Sequence, residues 1–312
     1  MNMQDQPVGT PPEPQGDTRC GYVAIVGRPN VGKSTLLNHL VGEKIAAASR
    51  KAQTTRHRIR GLITRGPDQL VLVDTPGMDP DAPKLLGKVL NRTAEAALHD
   101  VDAVIFVVEA DRWQGADEAM AQLLEGCGRP VVLVVNKVDR LKDKGRLLPF
   151  IDRLRRRLEF CEVVPLSALK GVNVEPLVES LMARLPAGPH LFPEDEITDR
   201  PQRFRVAEVI REQLLERLGQ EVPYATSVDV ERWEEAGDVL QIDAVIWVER
   251  ENQKAIVVGK GGRMIKAVGM GARRELEALL ERRVMLRLWA KVRESWQADL
   301  EGIRRMGIDV DP

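Results

Sequence analysis

From Tyr22 onward, short unbroken runs of Val, Ile and Leu alternate with amphipathic stretches. Runs at Tyr22–Val26, Leu70–Val73, Val104–Val108 and Val131–Val135 each end in a polar cluster: GRPNVGKST, DTPG, EAD and NKVD in turn. A shorter run, Val163–Leu166, precedes SALKG. Apolar runs of this length, with no polar alternation, predict strands buried on both faces of a parallel sheet. Leu36, Leu37 and Leu40 fall at helical spacing, and further helices are predicted near 84–98, 115–126, 146–158 and 174–184. The pattern predicts an α/β domain with a doubly wound, mainly parallel sheet. Ligands of such sheets bind beyond the carboxyl ends of the strands, where every one of these polar clusters lies. The polar stretch from Glu43 to Arg58 reads as a loop.

Residues 186–201, PAGPHLFPEDEITDRP, hold four prolines and few apolar positions, and mark a linker. Beyond it the order of elements changes. A helix over 203–218 precedes two strands near 225–232 and 239–249. A short helix over 251–258, the turn GKGG, a longer helix over 263–281, a strand Val284–Lys291 and a last helix from 294 to about 306 follow. Adjacent strands with segregated helices predict a small α+β domain. The expected organisation is a disordered tail at 1–19, a first domain at 20–185, the linker at 186–201, a second domain at 202–293, and a C-terminal helix and tail at 294–312.

Composition narrows the function classes. A net charge of −1 over 312 residues excludes a chain that is basic throughout, while leaving room for a local basic patch. Cys20, Cys127 and Cys161 match no metal-ligand or redox spacing, and with only four histidines beside them a zinc site is not expected. Reduced thiols fit a cytosolic chain. No apolar run approaches the roughly 20 residues that span a bilayer. The Pro- and Gln-rich start lacks the basic end and apolar core of a secretory signal, so a cytoplasmic location is expected.

Gly27, Arg28, Pro29, Asn30, Val31, Gly32, Lys33 and Ser34 match G-x-x-x-x-G-K-S between a strand and a helix, with Thr35 following. Backbone N–H groups in such a loop nest phosphate oxygens at a helix N-terminus. Lys33 is the cation for the β- and γ-phosphates, and the Ser34 hydroxyl is a Mg²⁺ ligand. Asp74, Thr75, Pro76 and Gly77 follow the next strand. The Asp74 carboxylate is placed to hold Mg²⁺ through water, and the Gly77 N–H to meet the γ-phosphate. Asn136, Lys137, Val138 and Asp139 read the base. Guanine presents N1–H and its exocyclic amine side by side, and one carboxylate accepts from both; adenine offers no such pair. Asn136 is expected to brace the loop and the Lys137 stem to lie along the ring. Leu166, Ser167 and Ala168 would bring the Ala168 N–H near the guanine carbonyl.

These motifs, in this order, resemble the translation-factor-related class of P-loop GTPases over about residues 20–185. Within that resemblance, SRKAQTTRHR (49–58) corresponds to the first switch segment, with Gln53, Thr54, Thr55, Arg56 and His57 at its centre. The resemblance implies Thr55 as the threonine that closes on Mg²⁺, with Thr54 as the fallback. Met78 stands where Ras-type proteins carry the glutamine that orients the attacking water. A thioether cannot do this, so intrinsic hydrolysis should be slow, or backbone and other groups must place the water. Asn30 has two readings, a ligand for an activating K⁺, as in related potassium-dependent GTPases, or a turn-stabilising asparagine.

In the second domain, eleven Lys and Arg stand against three Glu between 254 and 293, an electrostatic footprint for a polyanion. Gly259, Lys260, Gly261 and Gly262, with Arg263 and Lys266 beyond, put a G-x-x-G turn between helices. The order of elements resembles a type II KH domain, whose loop clamps a nucleic-acid backbone. Ile256 to Val258 are expected to wall the base groove. Ile265, Val268, Ala272, Leu276 and Leu279 fall on one helical face as core.

Joined, the two halves resemble the bacterial Era family of GTPases, including the linker FPEDEITDR (192–200) and VEREN (248–252). The resemblance implies binding of small-subunit ribosomal RNA near its 3′ end and a role in small-subunit assembly. It also implies peripheral association with the cytoplasmic face of the inner membrane; no obligate protein partner is evident. The competing reading is a constitutive RNA-binding protein with a structural, rarely turning-over nucleotide site. An ATPase would conflict with Asp139.

Overall fold

The computed structural model describes residues 18–49, 51, 54–82, 84–219, 222–306 and 308. The first part of the chain runs β1 (Arg19–Val26), α1 (Lys33–Val41), β2 (Ile59–Arg65), β3 (Asp68–Asp74), α2 (Leu85–Ala96), β4 (Ala103–Glu109), α3 (Gly115–Glu125), β5 (Val131–Asn136), α4 (Leu147–Arg155), β6 (Glu162–Pro165) and α5 (Val174–Met182). The six strands form one sheet in the order β2-β3-β1-β4-β5-β6, parallel except for β2, which runs antiparallel to β3. Alternate strand residues enter opposite cores. Val23 and Ile25 pack with α1 and α5 on one face, and Ala24 and Val26 with α3 and α4 on the other.

β2 is the one strand of this sheet that the apolar runs did not predict. Its sequence, IRGLITR, is broken by Gly61 and polar residues because β2 is an edge strand. The signal was the Gly66–Pro67 turn joining it to β3, with Gly66 at φ 56°.

The second part comprises α6 (Gln202–Arg217), β7 (Ser227–Ala236), β8 (Val239–Val248), α7 (Glu251–Val258), α8 (Arg263–Leu279), β9 (Arg283–Val292) and α9 (Leu300–Arg305). β7 pairs antiparallel with β8, and β8 parallel with β9. α6 and α8 bury Val206, Ile210, Leu214, Val268, Ala272 and Leu276 in a common core with this sheet. The last helix is shorter than the expected 294–306. Asp299 caps it by accepting from Gly302 N at 2.6 Å, and Ser295 before it takes φ 53°. Trp296, in the non-helical stretch, is buried with Ile303, Met306 and Ile308 against Leu86, Val89 and Leu90 of α2. An apolar contact therefore joins the C-terminal segment to the first sheet's domain.

The proline-rich stretch is a docked strap rather than a free connector. Gln69 is fully buried; its Oε1 accepts from Leu191 N (2.9 Å) and Phe192 N (3.0 Å), and its Nε2 donates to Phe192 O (2.9 Å). Leu62 N donates to Ile197 O at 2.9 Å, and the Arg200 guanidinium donates to Arg58 O. Gln69→Leu would leave the Leu191 and Phe192 donors without an acceptor, at about 1–3 kcal/mol for each that stays buried. The expected result is a lower unfolding midpoint and faster proteolysis within 186–200. A variant that matches the parent in both would show that Gln69 does not hold the strap.

Candidate functional site

The loop after β1 turns so that Lys33 begins α1 and folds back beneath it. Lys33 is buried, and its Nζ donates to Gly27 O (3.0 Å) and Arg28 O (3.2 Å). Burial pulls its pKa down to about 8, against the opposing pull of Asp74. Pro29, Asn30, Gly32, Lys33, Ser34 and Thr35 line one concavity with Thr54, Thr55 and Gly77. Gly77 must be glycine for this approach, because a Cβ there would lie 2.8 Å from the Cα and N of Pro29. Thr75 is buried and donates to Ile25 O at 2.8 Å, fixing the turn that carries Pro76 and Gly77. Met78 is packed into the apolar core, which suits a side chain with no water-orienting chemistry.

Ser34, Thr55 and Asp74 converge. Ser34 Oγ donates to Asp74 Oδ2 (2.8 Å) and lies 2.6 Å from Thr55 Oγ1, which itself donates to Asp74 Oδ2 at 3.1 Å. Thr55 rather than Thr54 joins the cluster; Thr54 Oγ1 donates instead to Lys51 O at 2.6 Å. Asp74 is fully buried, and its Oδ1 has no hydrogen-bond partner among the described residues. Burial raises its pKa to about 6, with Lys33 opposing. Two hydroxyls and one carboxylate with an unpartnered oxygen form a hard-oxygen set that fits Mg²⁺. That ion characteristically takes one or two carboxylates and completes its shell with water and substrate phosphate. Gln53 lies outside the described residues.

At the other end of the loop, Asn136 ties three segments together. Its Nδ2 donates to Val31 O (2.7 Å), and its Oδ1 accepts from Lys137 N (2.7 Å) and Ala168 N (3.0 Å). The Ala168 N–H is thus engaged with Asn136 in this structure. Ser167 Oγ donates to Asp139 Oδ1 at 2.6 Å and orients that carboxylate. Leu166 is core, and its carbonyl accepts from Val138 N at 3.3 Å. Lys137 takes φ 63°, and its Nζ donates to Asn30 O (2.5 Å) and Glu109 Oε2 (3.1 Å). Asn30, also at positive φ (66°), is exposed, and its side chain makes no hydrogen bond to the described residues. Arg28 turns its side chain away from the cradle, donating from Nε to Asp117 Oδ2 (3.0 Å) and from NH2 to Glu109 Oε2 (3.3 Å). Glu109 and Asp117, from the unassigned EADRWQGADE stretch, are therefore braces of the loop that motif reading passed over.

The segment 44–58 also faces the second part of the chain. Arg56 is buried and donates to Thr226 O (2.6 Å), Tyr224 O (2.8 Å) and Pro223 O (3.3 Å), with Trp296 5.9 Å away. His57 meets the Phe204 ring edge-on at 5.1 Å. From α6, Glu212 accepts from Ala48 N (2.7 Å) and Lys44 Nζ (2.7 Å), Glu208 accepts from Ala47 N (3.3 Å), and Arg211 donates to Thr54 O. Glu208, Arg211 and Glu212 were not anticipated. The sequence marks 203–218 only as a helix, yet all three of these charged residues in EVIREQLLER are buried.

In the GKGG loop, Gly259, Gly261 and Gly262 all take positive φ, and the last two have open space where a side chain would stand. Lys260, Arg263 and Lys266 have no carboxylate at ion-pairing distance among the described residues. The wider basic excess is smaller than its count. Lys254, Arg273, Arg282, Arg287 and Lys291 pair with Glu251, Glu277, Glu235, Asp243 and Glu231, and of these partners only Glu277 lies inside 254–293. Of the six that remain, Lys260, Arg263 and Lys266 stand at the glycine loop, and Arg274, Arg283 and Arg293 stand outside it. Ile256 is exposed, but Val257 is wholly buried in the core, so it walls no groove.

Residues 22–137 match the 50S ribosome-binding GTPase family, and residues 221–297 match the KH domain. GTPase Era of Stenotrophomonas maltophilia (strain R551-3) is 50% identical over 290 residues, 93% of this chain and 97% of that one. GTPase Era of Pseudomonas aeruginosa (strain LESB58) is 49% identical over 93% and 95% of the two chains. A variant of Aquifex aeolicus Era bound to GDP·AlF4⁻ superposes with a TM-score of 0.88 at 40% identity, over 93% of this chain and 99% of that one. A complex of Era with MgGDPNP and nucleotides 1506–1542 of 16S ribosomal RNA matches with the same score, identity and coverage.

The raised pKa of Asp74 has a measurable consequence. The folded carboxyl holds its proton up to about pH 6, whereas an unfolded one releases it near 3.8, so stability is lost as pH rises from about 4 to 6 and the full penalty persists above. Asp74→Asn should stabilise the nucleotide-free protein by on the order of 2 kcal/mol at roughly pH 8, and the gain should vanish below about pH 4. Denaturant titrations across that range test it. A variant less stable than the parent at high pH would refute the assignment.

Proposed function

The chain belongs to the Era family of GTPases, and from that premise we propose that it is a nucleotide-controlled binder of small-subunit ribosomal RNA that acts in assembly of the small subunit. It hydrolyses GTP to GDP and phosphate, and its two halves combine a P-loop domain with a KH domain. The observation that carries the switch reading is the adjacency of Thr55, which meets Ser34 and Asp74, and Arg56, which enters the second domain. A change at the γ-phosphate that moves Thr55 must also move Arg56.

In this reading the cradle of Gly27, Arg28, Pro29, Asn30, Val31, Gly32, Lys33, Ser34 and Thr35 holds the phosphates, and Lys33 offsets their charge. Ser34 and Thr55, with Asp74 through water, would hold Mg²⁺, which would supply neutralisation of the charge that develops on the transferring group. The Gly77 N–H faces the γ-phosphate. Asp139, oriented by Ser167, accepts from the guanine N1–H and amine, and Asn136 keeps the base loop in register with the phosphate loop. With Met78 in the core, placement of the attacking water falls to backbone and other groups. The free side chain of Asn30 supports its reading as a K⁺ ligand. RNA lies along the GKGG loop, held by Lys260, Arg263 and Lys266. That same cluster of positive charge is what supports peripheral attachment to an anionic membrane surface.

Changing Asp139→Asn should weaken GTP binding and favour xanthosine triphosphate, whose 2-oxo group can accept from the new amide. Competition binding decides this, and an unchanged preference for GTP would remove Asp139 from base reading.

For the RNA site, Gly262→Asp puts a carboxylate where a phosphate would pass, so RNA affinity should fall roughly tenfold or more while GTP binding persists. In the parent, RNA should bind more tightly with a non-hydrolysable GTP analogue than with GDP, and RNA must then tighten analogue binding by the same factor. Arg56→Ala should shrink that factor. Equal RNA affinity in both nucleotide states of the parent would favour the constitutive binder.

A further inference from the structure

The nucleotide domain carries a concentration of positive charge that neither the GTP cradle nor the GKGG loop uses. Between 140 and 157, eight Lys and Arg stand against Asp143 and Asp152, in a chain whose net charge is −1. Two of the eight are answered from elsewhere: Arg146 pairs with Asp111 at 2.8 Å, and Arg157 pairs with Glu118. Arg140, Lys142, Lys144, Arg153, Arg155 and Arg156 are all exposed, and none has a carboxylate at ion-pairing distance among the described residues. Asp143 accepts from Gly145 N at 2.9 Å, and Asp152, one turn before Arg156, makes no ion pair with it. Setting both acids against the six cations still leaves a local excess of four.

α4 fixes where these charges stand. Its inward positions, Phe150, Ile151 and Leu154, are buried in the core that also holds β4 and β5. Its other positions, Arg153 and Arg155 among them, are therefore turned to solvent. Lys142 and Lys144 precede the helix and Arg156 ends it, so cations stand at both ends of an element about 14 Å long. An exposed charge run is most often a solvated face. In the second domain, however, Arg287 and Lys291 are answered across strands by Asp243 and Glu231, whereas the cations of α4 have no such answer.

A surplus of this kind attracts a polyanion, and the chemistry of the face selects which. A helix that binds an anionic membrane keeps its apolar side free to enter the bilayer. That side of α4 is spent on the core, and only Leu148 among its large apolar side chains is exposed. Protein interfaces are anchored by aromatic and apolar residues, and the only aromatic between 140 and 157 is the buried Phe150. The same lack leaves no platform on which unpaired bases could stack. What fits is the regular phosphate array of a double helix, met by charge and shape alone.

We propose that α4 and the loop before it bind duplex RNA through its phosphates, as a second RNA surface separate from the GKGG loop. The proposal rests on the reading of this chain as an RNA binder and extends it to the nucleotide domain. A structured RNA held at both places gains affinity through effective concentration. Arg140 directly follows Asp139, so a duplex on this face lies beside the loop that reads the base.

The test uses the full chain saturated with GDP and Mg²⁺. It is titrated with an RNA duplex of about 16 base pairs and arbitrary sequence, and separately with an unstructured single strand. Arg153→Gln, Arg155→Gln and Arg156→Gln combined remove three exposed charges and should leave the melting temperature unchanged. Duplex affinity should fall roughly tenfold or more at low salt, and the slope of log K against log salt should flatten by about 2–3. Single-strand affinity should hold within roughly threefold, whereas Gly262→Asp should weaken the single strand and spare the duplex. Lys142→Gln with Lys144→Gln should act in the same direction as the triple variant, and decides the matter if that variant folds poorly. Duplex binding equal to the parent's in these variants, or an equal loss of duplex and single strand, would overturn the proposal. So would a parent with no saturable duplex binding; if it still takes the single strand, the RNA-binding reading stands and only the second surface falls. Sedimentation with phosphatidylserine vesicles supplies the last comparison: vesicle binding lost in the triple variant while duplex binding persists would assign the face to lipid instead.

Discussion

One short stretch of backbone, Thr54 to Arg56, serves two sites at once, and much of the molecule is arranged to hold it. Thr55 reaches the Ser34–Asp74 cluster, while its neighbour Arg56 reaches three carbonyls of the second domain. Neither contact can shift by a residue without disturbing the other. The strap along β2 and β3 fixes one end of this stretch through Arg200 and Arg58, and α6 fixes its middle through Arg211 and Thr54. Rigid surroundings convert a small displacement at Thr55 into a displacement of the interface, because packed elements have few alternative arrangements.

The two contacts between the domains differ in kind. Glu208, Arg211, Glu212 and Lys44 meet the segment 44–54 through hydrogen bonds and ion pairs, whereas Trp296, Ile303 and Met306 meet α2 through apolar burial. Breaking a polar contact releases groups that water can satisfy, so such an interface can open with little net loss once solvated. An apolar contact loses its stabilisation in proportion to the area exposed. The polar face suits the side that must respond to nucleotide, and the apolar face suits a pivot.

Legibility in the sequence followed the physics of each feature. The four central strands were visible as unbroken apolar runs, because both faces of a central parallel sheet must be apolar, and edge strand β6 through the shorter run Val163–Leu166. The nucleotide motifs were visible because phosphate, metal and guanine each demand particular residue types at fixed offsets. Edge strand β2 was not, since an edge half exposed to water carries polar residues and Gly61. Gln69, Glu208 and Arg211 were also hidden: a buried polar residue is indistinguishable from a surface one until its partners are known, and theirs lie more than a hundred residues away. Charge counting along the chain overstated the basic patch for the same reason, because Glu231, Glu235 and Asp243 neutralise it across strands.

The choice between Thr54 and Thr55 shows where local pattern ends and tertiary constraint begins. Both are threonines in one short polar run, with equal claim on a metal by chemistry alone. Only one can face Asp74, and which one is settled by the register of Arg56 in its carbonyl nest and of Ala47 and Ala48 on α6. The second domain thus sets the geometry of the first domain's Ser34–Thr55–Asp74 cluster. By the reciprocity of coupled sites, whatever the first domain binds must in turn bias the placement of the second.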